Sequence, residues 1–237
     1  MAKPFYFKQF SVKQDRCAMK IGTDAVLLGA WTNLDRCPKS ILDIGAGTGI
    51  LALMMAQRSN AEVIDAVEVD AEAYEQCVDN FEGSDWGDRL FCYHASLEEF
   101  AGEIDDKYDL IIPNPPFYRA QFKTTSKARN KARFEDALPF DELLSAASKL
   151  LNETGQLNVI IPFSEQATFI SLAKNHRLFP SRILHLKGRD TSPIKRSLIC
   201  FIFQEKSIDS RELTLEISRH QYTREYKNIT KDFYLKM

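Results

Sequence analysis

The chain has no paired cysteines, no surplus of positive charge and no long apolar run, and each absence excludes a class of protein. Its five cysteines, at positions 17, 37, 77, 92 and 200, are odd in number, scattered, and form no Cys-x-x-Cys pair. A disulfide framework and a structural zinc site are set aside, and a reduced, cytoplasmic protein is expected. The four histidines, His94, His176, His185 and His220, share no metal-ligand spacing, so no metal is expected. Lys plus Arg number 31 against 33 for Asp plus Glu, a net charge of -2. That excludes a globally basic nucleic-acid binder but leaves room for a local basic patch. The longest apolar run, Ile44 to Ala56, has 13 residues and holds three glycines. A membrane span needs roughly 18. Met1 to Phe10 carries two lysines among aromatics and no apolar signal region, so no membrane association is expected. There is no internal repeat, no low-complexity stretch and no Gly-x-Ser-x-Gly elbow for serine hydrolysis.

What is present is a globular composition. The 237 residues are 44% hydrophobic and 27% charged, enough apolar material for one full α/β domain. Apolar runs alternate with amphipathic stretches. Strands are expected at Ser40 to Ile44, Val63 to Val69, Leu90 to Tyr93, Tyr108 to Pro113 and Gln156 to Pro162. Helices are expected at Ile50 to Arg58, Ala71 to Phe81, Asp141 to Leu151 and Ser164 to Asn175. Thr23-Asp24 reads as an N-cap with an acidic first turn ahead of an apolar helix, Ala25 to Trp31. Arg182 to Leu186 and Ser197 to Gln204 read as a late strand pair. The acidic run Glu98 to Asp109 reads as a solvated face. This alternation predicts an α/β fold: a doubly wound, seven-stranded, mostly parallel sheet with a late antiparallel strand. The whole of 1–237 is expected to be one domain, with residues 1–38 as an N-terminal extension. Residues 117–137 interrupt the pattern with little apolar periodicity, and loops of that length inside a domain are usually functional or disordered.

Three motifs carry chemistry. Leu42-Asp43-Ile44-Gly45-Ala46-Gly47-Thr48-Gly49 runs from strand into helix. Its glycines allow a tight turn and let a ligand approach the backbone. Glu68 ends the next strand about 20 residues on, where a carboxylate can accept from both ribose hydroxyls of an adenosyl group. Both features suit a dinucleotide or S-adenosylmethionine. The G-x-G-x-G spacing after Asp43 favours S-adenosylmethionine. Next comes Asn114-Pro115-Pro116-Phe117, at the end of the Asp109-Leu110-Ile111-Ile112 strand. The amino nitrogen of adenine is a poor nucleophile because its lone pair is delocalised into the ring. The Asn114 oxygen and the Pro115 carbonyl can accept its two N–H groups, concentrating electron density on nitrogen and orienting it. The prolines hold those acceptors rigid, and Phe117 offers a face on which a flipped-out base stacks. The last motif is charge: Arg119, Lys123, Lys127, Arg129, Lys131 and Arg133 follow directly, with no acidic residue among them. They suit an RNA phosphate backbone beside the mouth of the site. A second basic cluster comprises Arg182, Lys187, Arg189, Lys195 and Arg196.

At these residues the chain resembles class I S-adenosylmethionine-dependent methyltransferases of the amino-methylating branch. It resembles more closely the bacterial tRNA1(Val) (adenine-37-N6)-methyltransferase family. The likeness covers nearly the whole chain. It includes Phe5 to Phe10, Met19 to Asp24 continuing to Leu27 to Trp31, Gln221 to Tyr226, and Lys231 to Leu235. The resemblance implies methyl transfer from S-adenosylmethionine, yielding S-adenosylhomocysteine, to N6 of adenosine 37 in a tRNA, and the protein is expected to be a cytoplasmic monomer. It implies that Thr23 and Asp24 lie near the methionine end of the cofactor. Asp43, Gly45, Gly47, Glu68 and Asn114 would line its site, and Asn114, Pro115 and Phe117 would hold the target adenine. Many relatives carry an acidic residue after the third strand to meet the cofactor's adenine. Here the segment reads His94-Ala95-Ser96-Leu97, which puts Ser96 in that place. Asn-Pro-Pro-Phe is also shared with glutamine N5-methyltransferases of release factors. Those usually carry an extra N-terminal helical domain, and only about 40 residues precede the first strand here. An adenine-N6 enzyme acting on another RNA or on DNA would carry the same motifs. A non-catalytic RNA-binding module could keep the same fold, but intact glycines and an intact Asn-Pro-Pro-Phe oppose it.

Overall fold

The computed structural model describes residues 3–114 and 138–236. A short hairpin, β1 (Phe5–Tyr6) and β2 (Ser11–Val12), leads to α1 (Thr23–Trp31). Strand and helix then alternate through β3 (Ser40–Ile44), α2 (Ile50–Arg58), β4 (Val63–Glu68), α3 (Ala71–Glu82), β5 (Leu90–His94), α4 (Leu97–Glu103) and β6 (Tyr108–Ile111). After residue 137 come α5 (Phe140–Leu150), β7 (Leu151–Pro162), α6 (Gln166–Asn175), β8 (Phe179–Lys187), β9 (Ile194–Ile202) and β10 (Asp209–Thr214). The hairpin β11 (Glu216–Ser218) and β12 (Gln221–Tyr222) and the helix α7 (Arg224–Thr230) close the chain.

The main sheet has the order β10-β8-β9-β7-β6-β3-β4-β5. All its pairs are parallel except those made by β9, which runs against both β7 and β8. The doubly wound expectation holds, including the late antiparallel strand. The sheet has eight strands where seven were expected. The extra strand is β10, in which only Leu213 is buried. It has no apolar alternation and exists because the free edge of β8 offers it a ladder, from Asp209↔Arg182 to Thr214↔Lys187.

Both faces of the sheet are covered, and neighbouring strand residues feed different cores. Ile41, Ile64, Ala66 and Leu110 pack with α1, α2 and α3, while Leu42, Val67 and Ile111 pack with α4, α5 and α6. This is why the central strands read as continuous apolar runs. The first core also takes in the two ends of the chain. Lys8 N donates to Phe233 O at 2.9 Å, Phe7 forms a bridge with Tyr234, and Phe7 stacks on Phe10 at 4.7 Å. Residues 13–16 are fastened to α3 by two buried amides. Asn80 bonds both N and O of Lys13, and Gln76 Oε1 accepts from Asp15 N and Arg16 N. That fastening aims the following segment, 17–22, at the carboxyl ends of the strands.

Two local expectations change. Thr23 is not the cap of α1: Gly22 is the N-cap, without a side-chain cap bond, and Thr23 opens the helix. The stretch expected to be only a solvated acidic face contains α4, whose start is fixed by a capping box between Ser96 and Glu99.

Candidate active site

The chain leaves β3 towards β4 and β5, then returns to place β6 on the other side of β3. At such a reversal the loops after the two central strands splay apart and open a crevice. The glycine loop follows β3 and Asn114 follows β6, so the topology delivers both motifs to one place. The loop needs its glycines. Gly45, Gly47 and Gly49 have φ of 69°, 54° and 74°, values that L side chains seldom adopt. At Gly49 a Cβ would also lie 2.5 Å from the Phe81 ring and 2.8 Å from Cys77 Sγ.

The loop is anchored to the neighbouring strand. Gly45 N and Ala46 N both donate to Val67 O, at 2.9 and 3.1 Å. Gly47 N donates to Glu68 Oε2 at 2.7 Å, while Val69 N and Asp70 N donate to Oε1, each at 2.9 Å. Glu68 is buried. Its carboxylate therefore pins the loop with three backbone N–H groups and, of about four acceptor positions, keeps one for a further donor. Spacing alone, which marks Glu68 as an acceptor for two ribose hydroxyls, does not show this duty.

Asp43 lies beneath the loop and is 1% exposed. Its Oδ2 accepts from Ala52 N at 3.2 Å, and Oδ1 has no hydrogen-bond partner among the described residues. Burial pushes the carboxyl up to about 8; the Ala52 N–H opposes this, and the charge of Glu68 adds to it. In the unfolded chain an aspartate ionises near 4. As pH rises, the unfolded state therefore releases this proton first. The stability it confers is complete below about pH 4 and is lost as pH climbs through about 8. Thermal melts of the ligand-free protein from pH 5 to 8 should show a falling Tm, with a flatter profile for Asp43→Asn. Parallel profiles would show that Asp43 does not carry the slope.

Above the loop is a cavity of about 540 Å³ lined by Gly45 to Thr48, the segment Met19 to Ala25, Asn114 and the end of β7 at Pro162. Thr23, Asp24, Gly45, Gly47 and Asn114 are thus brought together, with Asp43 and Glu68 packed against the loop from below and behind. Arg196, on β9, also lines the cavity and donates from Nε to Asp24 Oδ2 at 2.8 Å. In the sequence Arg196 counts only as one charge of a basic cluster. Its partner lies 172 residues away, and no local signal connects them. Lys20 is a second cation on the cavity wall that no sequence motif marks.

Ser96 follows β5 but is committed elsewhere. Its Oγ donates to Glu99 Oε2 at 2.8 Å and accepts from Glu99 N at 3.2 Å. The second basic cluster is largely engaged: Lys187 pairs with Glu212, Arg189 lies 3.9 Å from Glu216, and the Arg182 guanidinium sits 4.6 Å over the Trp31 ring. Only part of it is left for phosphate. Pro115, Phe117, Arg119, Lys123, Lys127, Arg129, Lys131 and Arg133 lie outside the described residues. Among the described residues there is no group of three potential metal ligands and no helix long and apolar enough to cross a membrane.

A family described as Methyltransferase small domain matches residues 21–174. The chain is 61% identical over 237 residues to a protein of Christiangramia forsetii named tRNA1(Val) (adenine(37)-N6)-methyltransferase, covering 99% of each chain. A protein of Flavobacterium johnsoniae with the same name is 59% identical over 98% of this chain and 100% of its own. The chain belongs to this methyltransferase family. Solved structures agree on the fold. A predicted O-methyltransferase of Agrobacterium tumefaciens superposes with a TM-score of 0.68 at 21% identity, over 89% of this chain and 96% of its own. A ribosomal protein L11 methylase of Lactobacillus delbrueckii gives 0.52 at 17% identity, over 74% and 75%.

Proposed function

We propose that this chain transfers a methyl group from S-adenosylmethionine to N6 of an adenine in tRNA, namely adenosine 37 in the anticodon loop of tRNA1(Val). The observation that carries the reading is the meeting of Asn114 with the glycine loop in one cavity, in a chain that matches the tRNA1(Val) enzymes end to end. The residues present suit the cofactor. The Asp24 carboxylate offers a partner for a cationic methionine end, and Glu68 keeps a free acceptor position for a ribose hydroxyl. When bound, S-adenosylmethionine supplies a methyl group on a positively charged sulfur.

The protein's own task is orientation. Asn114 presents an acceptor to one N–H of the adenine amino group, and the Pro115 carbonyl is assigned the other. With both N–H groups held, the nitrogen lone pair is aimed into the cavity. No general base is required, because the proton leaves once nitrogen has become the more acidic, alkylated centre. Arg196 holds Asp24 in place across the mouth. The basic stretch 119–133 is assigned to the phosphate backbone, so affinity for RNA should fall with salt.

The test uses unmodified total tRNA, purified protein and methyl-labelled S-adenosylmethionine. After digestion to nucleosides, label is expected in N6-methyladenosine. Label in lysate protein with none in tRNA would replace this reading with amide methylation of a protein glutamine.

A further inference from the structure

Phe5 to Phe10 near the start of the chain and Gln221 to Tyr226 and Lys231 to Leu235 near its end have no part in the chemistry above, yet the fold brings them together. We propose that the cavity between them is a second base pocket, which takes an unstacked nucleobase flanking the adenosine that is methylated. The inference rests on the tRNA reading and adds to it how the loop is held.

The cavity measures about 490 Å³, inside the range of small-molecule pockets. Four of the chain's eight tyrosines line it: Tyr6, Tyr222, Tyr226 and Tyr234. Its lining also includes Lys236 and, among the described residues, contains no carboxylate side chain. Tyr222 and Tyr226 lie with ring centroids 5.1 Å apart, and Tyr226 is hydrogen-bonded to Tyr234. Burial pushes both of the latter phenols up, so they remain O–H groups that hold the aromatic floor together. The floor is therefore fixed. The rim is not covered: Tyr6 is 60% exposed and Leu235 is 58% exposed. Aromatic rings beside a cation, with no carboxylate in the lining, suit a flat, uncharged π-system attached to a phosphate chain, which is the chemistry of a single-stranded nucleobase. Position decides which base. Ile21, Gly22 and Thr23 line both this cavity and the one that holds Asn114. A wall of three residues is at most about 10 Å of backbone, so the two cavities are spaced for neighbouring nucleotides.

The test measures steady-state methyl transfer to an anticodon stem-loop RNA, intact or with an abasic residue on either side of the target adenosine. Tyr6→Ala should raise KM for the intact RNA about tenfold with kcat within about twofold, because stacking beside the reacting base is uniform binding. Tyr6→Phe should restore KM. An abasic residue at one flank should raise the wild-type KM by a similar factor and add nothing in Tyr6→Ala. Additive effects at both flanks, or an unchanged KM in Tyr6→Ala, would overturn the second pocket and leave the tRNA reading standing. Failure of wild-type protein to methylate the intact RNA under saturating cofactor would overturn both.

Discussion

Asn114→Ala should lower kcat for tRNA methylation by about 10²- to 10³-fold, the scale lost when one preorganised acceptor or donor is removed from a reacting centre. S-adenosylmethionine affinity should change little, because the other contacts proposed for the cofactor come from the glycine loop, Glu68 and the segment before α1. The prediction follows from where Asn114 stands. β6 pairs with β3 by Ile41↔Leu110 and Leu42↔Ile111, and Ile112 N donates to Leu42 O at 2.8 Å. The sheet thus holds the chain rigidly up to two residues before Asn114. Truncating the side chain removes the acceptor without loosening its support. Asn114→Asp keeps one acceptor oxygen in the same place and should retain more activity than the alanine variant. Single-turnover rates with saturating cofactor, together with calorimetric cofactor titration, separate the two effects. An alanine variant with the wild-type rate would remove Asn114 from the chemistry.

How far the sequence reveals this site depends on the range of the interaction. Asp43, the glycines and Asn114 are legible because each sits at a strand end, where buried apolar runs stop and turn chemistry begins. Periodicity marks such boundaries. α4 is legible in principle. Its Ser96-x-x-Glu99 pair is a capping box, a local signal, but the family resemblance expects a cofactor contact at Ser96, and that second meaning masks the first. β10 is not legible: its sequence, Asp-Ser-Arg-Glu-Leu-Thr, buries one apolar side chain and takes its strand form from pairing with β8. Nor are the pairing of Arg196 with Asp24, the grip of Gln76 and Asn80 on residues 13–16, or the union of the two termini. Each joins residues more than 50 positions apart and is set by tertiary packing. The same distinction explains Glu68. Spacing locates the carboxylate, but only the fold shows that it holds the loop, beside the cofactor role proposed for it.

That double duty makes Glu68→Gln the second large effect. Glutamine is nearly isosteric, so packing is kept, but it has one carbonyl oxygen and one amide group in place of two acceptors. If the carbonyl takes the Oε1 position, it still accepts from Val69 N and Asp70 N. The amide then meets Gly47 N, and two donors face each other where a 2.7 Å bond had been. If the amide flips, two backbone N–H groups lose their acceptor instead. Either way a buried donor is left unpaired, at a cost of roughly 1–3 kcal/mol. The first arrangement loses one bond and the flipped one two, so the first is favoured, and its cost falls on Gly47, in a turn already held at positive φ. The variant should bind S-adenosylmethionine about 10- to 100-fold more weakly, and the Gly47 amide should lose hydrogen-exchange protection. Glu68→Ala, which surrenders all three bonds and the remaining acceptor position, should be weaker still and melt earlier. Asn114→Ala should show neither change, since it acts on the substrate amine and not on the loop. Calorimetry and exchange on the three variants therefore separate loop anchoring from substrate orientation. Wild-type affinity in Glu68→Gln would mean that the carboxylate neither fixes the loop nor meets the cofactor.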